Sequence, residues 1–208
     1  MMELILVDPI LALCNHLRKA FEKHEHVKII HGYFEAVEEF DCMVSAANSF
    51  GLMDGGVDLA IINFFGHQLE KQVQEYIIAQ YFGEQPVGTC FLIETGNEKH
   101  PFVAHTPTMR IPMTIHGTDN VYLAMKAMLE TIWHHNQKAE TQKIKRVVCP
   151  GLGTATGKMP YAEAARQMQL AYANFISPIE RINWDVAGKR QLAIRYGGNL
   201  GFNFDTEG

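Results

Sequence analysis

The chain has 208 residues, 47% of them hydrophobic and 20% charged, with a formal net charge of −5. A domain of this size buries roughly 70% of its unfolded surface, so it needs neither disulfides nor a structural metal to fold. These values exclude a disordered chain, a collagen-like fibre and a disulfide scaffold, and the negative charge argues against a broad surface for duplex nucleic acid or anionic lipid.

Short apolar strands alternate with longer amphipathic stretches along most of the chain. Leu4-Ile5-Leu6-Val7 reads as a strand, followed by a helix from Pro9 to about Lys23 and a second strand at Val27-Lys28-Ile29-Ile30. Asp41-Cys42-Met43-Val44-Ser45 is a third strand. A helix starts near Val57, and another covers Gln68 to Phe82, where Leu69, Val73, Tyr76 and Ile77 keep helical spacing. Two β-rich segments follow, around Gly88–Ile93 and Phe102–His105. A helix from Asp119 to His135 precedes the buried-type strand Arg146-Val147-Val148-Cys149, and Tyr161 to Ile176 is the last helix read from the pattern. Such alternation predicts an α/β fold with a largely parallel sheet covered on both faces. One domain is expected over residues 1–190, with a glycine-rich, loosely attached tail over 191–208.

The four cysteines, Cys14, Cys42, Cys90 and Cys149, form no C-x-x-C pair and sit among apolar neighbours. They read as buried free thiols of a reducing compartment. No apolar run approaches a membrane span, and the acidic N-terminal segment does not resemble a signal peptide. The expectation is a cytoplasmic protein without membrane contact, and no metal or cofactor is called for.

Two loops stand out. In the first, Val44-Ser45-Ala46-Ala47-Asn48-Ser49 leads from a strand through Gly51-Leu52-Met53-Asp54 to Gly55-Gly56-Val57-Asp58 at the start of a helix. Glycines let backbone N–H groups approach a ligand, and the new helix adds the positive end of its dipole. An anion can be held this way without lysines. The second loop, Pro150-Gly151-Leu152-Gly153-Thr154-Ala155-Thr156-Gly157, also lies between a strand and a helix, so both should open on the C-terminal edge of the sheet. Together they would suit a diphosphate. Gly151, Gly153 and Gly157 also raise a nicotinamide-dinucleotide reading, against which no acidic residue ends a following strand about 20 residues on.

Taken together, the loops resemble those of the macro domain, a family that binds ADP-ribose and in several branches removes it from modified macromolecules. The resemblance covers residues 27 to 176 and includes Glu163-Ala164-Ala165-Arg166 after the second loop. It implies a three-layer α/β/α sandwich around a mixed, largely parallel sheet, with ADP-ribose, a close derivative or an ADP-ribosylated macromolecule as partner. The implied enzyme is a hydrolase of ADP-ribosyl bonds or of ADP-ribose derivatives. The implied ligand contacts are Ala47, Asn48, Gly55, Gly56 and Val57 in the first loop and Gly153, Thr154, Ala155, Thr156 and Gly157 in the second. The implied catalytic pair is Asp58, acting on a water at the distal ribose, and Asn48, holding the ribose hydroxyls. Hydrolysis of an ADP-ribosyl bond ranks first, a silent ADP-ribose reader second and a nicotinamide-dinucleotide enzyme third. The chain departs from the family pattern at Ser45, where an asparagine is usual, and at Tyr33, where an adenine-reading aspartate is usual. Gly157 replaces an aromatic, and Ile62 a histidine, so the resemblance points to a divergent microbial or phage-like branch. Asp54 is expected to point outward, His105 to be a satisfied core histidine, and Arg110 to be either a phosphate contact or an exposed loop residue.

Overall fold

A computed structural model describes residues 2–198. Its framework is a six-stranded sheet built from β1 (Glu3–Asp8), β2 (Val27–His31), β3 (Cys42–Asn48), β4 (Phe91–Glu94), β5 (Phe102–Met109) and β6 (Arg146–Cys149). The spatial order is β2-β1-β6-β3-β5-β4. Every neighbouring pair is parallel except β4 with β5. The helices are α1 (Leu11–Ala20), α2 (Gly56–Phe65), α3 (Gln68–Tyr81), α4 (Asn120–Lys138), α5 (Tyr161–Ile176) and α6 (Trp184–Ile194).

The alternation of side chains along the strands sets the three layers. Leu4 and Leu6 of β1, Cys42 and Val44 of β3, Phe102 and Ala104 of β5, and Val147 and Cys149 of β6 pack under α1, α4 and α5. Their neighbours Ile5, Val7, Met43, Val103 and Val148 pack on the other face against Ile61 and Ile62 of α2 and Leu69, Val73 and Ile77 of α3. Strands covered on both faces explain the nearly continuous apolar runs in the sequence. All four cysteines are free thiols; Cys90 is half-buried and the other three are buried. No helix among the described residues is long and apolar enough to cross a membrane.

Two strands run further than the pattern indicates. The sequence reading stops β5 at His105, two residues before Pro107, which lacks a ladder donor. The strand nevertheless continues to Met109, and its pairing with β3 shifts register between Ala47 and Asn48, next to the proline. Such an irregularity is where a sheet accepts one. On the other strand, β3 reaches Asn48 rather than ending at Ser45.

The C-terminal segment differs from the expected loose tail as far as residue 198. Helix α6 runs through residue 190, so a boundary there falls inside an element. Arg166 of α5 donates to the carbonyls of Ala193 (2.7 Å) and Arg195 (2.9 Å) while pairing with Glu163. Glu163 in turn accepts from the Gly197 N–H at 3.2 Å. No periodic signal marks α6 along the chain because none of its residues is fully buried; polar side chains of α5 hold the segment instead. The rest of the expected tail, 199–208, lies outside the described residues. Arg166→Met is expected to speed amide hydrogen exchange at Gly197 and Gly198 with little change in the core strands. Unchanged protection there would show that the arginine does not anchor the segment.

Candidate functional site

β3 and β6 are hydrogen-bonded neighbours, with Cys42 opposite Val147 and Met43 opposite Val148. The loops leaving their C-terminal ends therefore emerge side by side, and β1 flanks β6 on its other edge. A cavity of about 430 Å³ lies at this edge, within the range of small-molecule sites. Asn48, Ala47, Gly55, Gly56, Val57 and Asp58 line it from the first loop, and Gly153, Thr154, Ala155, Thr156 and Gly157 from the second. The two glycine-bearing stretches thus share one cavity.

The charge inside is unusual for a site meant to take an anion. Asp8, Glu35, Asp54 and Asp58 line the cavity, and no lysine, arginine or histidine does among the described residues. Any attraction for a phosphate must come from backbone dipoles. α2 begins at Gly56, and no side chain caps it. The N–H groups of its first turn accordingly have no intrahelical acceptor and no side-chain one.

The glycines divide into two kinds. A Cβ on Gly55 or Gly56 would meet nothing within 4 Å, so these two leave open space beside the cavity. Gly56 additionally has φ +58°, a left-handed conformation that disfavours any side chain. In the second loop, a Cβ on Gly151 would strike Leu13, one on Gly153 would strike Ile115, and one on Gly157 would lie 2.4 Å from the Gly153 carbonyl oxygen. These three let the loop pack against the core. Gly157 has no room for an aromatic, which accounts for that departure from the family pattern. The loop also closes on itself, the N–H of Met159 bonding the Gly153 carbonyl and that of Ile115 bonding the Gly157 carbonyl.

Asp58 sits in the first turn of α2, 7% exposed. Its Oδ1 accepts a hydrogen bond from the Ser45 hydroxyl at 2.7 Å. Burial pushes the carboxyl up to about 6, against the lowering pull of that hydroxyl. A carboxylate that titrates near neutral pH is suited to receive a proton. Asn48 is occupied differently: its Oδ1 accepts from the N–H groups of Phe50 and Leu52, and its Nδ2 donates to the Leu52 carbonyl at 2.7 Å. The side chain shapes its own loop, as Asx residues commonly do.

Other expectations resolve on contact with the fold. Asp54 is exposed, and it sits on the cavity lining. Arg110 does not line the cavity; its Nε donates to Glu84 at 2.6 Å. His105 is fully buried, stacked on Phe91, with Nδ1 bonded to Gln85 at 2.7 Å. It is satisfied on one side only, because Nε2 has no protein partner. Burial pushes its imidazole down to about 3, which keeps it neutral.

Sequence reasoning missed two polar residues. Asp8, at the end of β1, accepts from the N–H groups of Ile10 (2.9 Å) and Gly151 (3.3 Å), so it ties β1 to the second loop at the cavity wall. The available signal was an acid at the C-terminal end of a parallel strand, where ligands of open α/β sheets collect. Ser45 read only as a deviation from a motif. Two residues after Met43, it shares the strand face turned toward α2 and α3, and that buried polar position was the available signal.

The macro domain family model matches residues 44–168, which run from β3 through both loops into α5. An uncharacterized protein of Aquifex aeolicus is 34% identical over 142 residues, covering 68% of this chain and 78% of the relative. A macro domain-containing protein of Caldanaerobacter subterraneus subsp. tengcongensis is 29% identical over 142 residues, covering 68% of this chain and 76% of that protein. Among solved structures, an Oceanobacillus iheyensis macrodomain with ADP has a TM-score of 0.55 at 24% identity, covering 66% of this chain and 70% of that one. The macrodomain of Mycobacterium tuberculosis DarG has a TM-score of 0.53 at 18% identity, covering 65% of this chain and 83% of that one. The same edge-of-sheet loops that enclose the cavity thus lie within the matched segment, and the chain belongs to the macro domain family.

Proposed function

We propose that this protein binds ADP-ribose, or the ADP-ribosyl part of a modified macromolecule, in the cavity between the two loops and hydrolyses the bond at the distal ribose. The observation that carries the reading is the convergence of both loops on one cavity, together with a buried carboxylate, Asp58, on its wall. Family membership supports the ligand class. Solved macrodomains similar in fold include a Trypanosoma brucei protein in complex with ADP-ribose and the Oceanobacillus iheyensis protein with ADP. Variants of the latter truncate an asparagine and an aspartate ten residues apart, the separation of Asn48 and Asp58.

In this reading the backbone N–H groups of the α2 start and of the second loop hold the diphosphate. A water oxygen bonds to C1″ of the distal ribose as the bond from C1″ to the attached group breaks, its electron pair leaving with that group. The Asp58 carboxylate takes a proton from the water and returns it to the departing group. The nicotinamide-dinucleotide alternative loses support, since β6 is the last strand among the described residues and none follows to carry a ribose-binding acid.

Titration calorimetry with ADP-ribose, ADP and NAD tests the ligand class. ADP-ribose is expected to bind most tightly of the three. Preference for NAD would overturn the reading. Binding of ADP-ribose without release from aspartate-, glutamate- or arginine-linked substrates, or from thymidine-linked DNA, would leave a reader rather than a hydrolase.

A further inference from the structure

Ser45 is fully buried in β3, and its hydroxyl donates to Oδ1 of Asp58 at 2.7 Å. Among the described residues it is the one protein group hydrogen-bonded to that carboxylate. Asp58 also lines the cavity. The hydroxyl restrains one carboxylate oxygen, and among the described residues no protein group is hydrogen-bonded to the second. We propose that Ser45 is a positioning residue for the hydrolysis: by holding Oδ1 it presents Oδ2 of Asp58 to the attacking water as the proton acceptor. This rests on the hydrolytic reading above.

The hydroxyl does a second thing. A hydrogen bond to the charged form favours it, so Ser45 opposes the burial that would otherwise keep Asp58 protonated. Nothing else nearby can take over that part. Among the described residues, the other titratable groups on the cavity wall are the acids Asp8, Glu35 and Asp54 and the phenol of Tyr33. From α3, Glu70 is engaged with the N–H of Met53 at 2.9 Å. From β5, His105 pairs with Ser45 in the sheet register, and burial keeps it neutral. From β3 itself, burial keeps the Cys42 thiol protonated. Among the described residues lining the cavity there is no lysine, arginine or histidine.

The test follows the Asp58 carboxyl directly, by ¹³C NMR of protein labelled at aspartate carboxyls, with the signal assigned through Asp58→Asn. The parent should titrate with a midpoint of about 6. In Ser45→Ala the midpoint should rise by roughly one to two pH units, the size of a lost hydrogen bond to a charged group. Ser45→Cys keeps the volume with only a weak donor, so it should shift in the same direction and guards against a cavity effect. Affinity for ADP-ribose should stay within about threefold in both variants, because the loop N–H groups supply it, while the acid limb of turnover moves with the midpoint. An unmoved midpoint in the folded variants, with turnover intact in the parent, would overturn the part given to Ser45 alone. Equal losses of affinity and turnover would make Ser45 a packing residue. A parent that binds ADP-ribose but releases none would overturn the hydrolytic reading, and this role with it, whatever the titration shows.

Discussion

Asp58→Asn is expected to lose about 10²- to 10⁴-fold in the rate of ADP-ribose release while keeping ADP-ribose affinity within about tenfold. The amide oxygen still accepts from the Ser45 hydroxyl, so no buried donor is orphaned, whereas Asp58→Ala would strand that hydroxyl in the core. The same substitution should make the protein more stable. Burial raises the Asp58 carboxyl from its ordinary 3.8 to about 6, with the Ser45 bond opposing. A raised acid favours the folded state while it is protonated, and that contribution is lost as pH rises from about 4 through about 6. Above that range the parent carries the full cost of a buried charge, about 3 kcal/mol at 1.4 kcal/mol per unit. Asp58→Asn escapes it. Denaturant unfolding should therefore show variant and parent diverging across pH 4 to 6 and staying apart above it. Parent turnover should rise through the same interval, because only the ionised form accepts a proton. A variant that turns over near the parent rate at pH 7 would reduce Asp58 to an acid offsetting the α2 dipole.

Gly55→Glu is expected to weaken ADP-ribose binding by about a thousandfold without unfolding the protein. Gly55 has φ −153°, ordinary extended backbone, and a Cβ there meets nothing within 4 Å. A carboxylate added at the first loop would face the proposed diphosphate in a cavity lined, among the described residues, by four acids and no lysine, arginine or histidine. Like charges about 4 Å apart cost roughly 4 kcal/mol at an effective dielectric of 20, which is about a thousandfold in affinity. Gly56→Glu would act similarly but adds backbone strain at φ +58°, so it cannot separate the two causes. Calorimetry with circular dichroism on the same sample checks both halves of the expectation. A folded Gly55→Glu protein that binds like the parent would make the first loop a simple turn.

The six strands, five of the six helices and the pair of loops were legible along the chain, because doubly covered strands read as short apolar runs and the helices bury apolar residues at a period of 3.6. The run from Asn48 to Asp58 stood out through its resemblance to a family loop, since glycines there serve tight turns as readily as close backbone approach. Tertiary structure decided the rest. The second half of β5 runs through Pro107, next to a register shift with a strand 60 residues away in sequence. Helix α6 left no periodic trace because polar contacts from Arg166, rather than buried apolar side chains, hold its end. Gly153 and Gly157 read as ligand cradles, yet the space they save is taken by Ile115 and by the loop's own carbonyl. Ser45 read as a mismatch until α2 set Asp58 against it, 13 residues on. A hydrogen bond between a strand and the helix packed on it has no signature along the chain, because only the packing of the two elements brings its partners together.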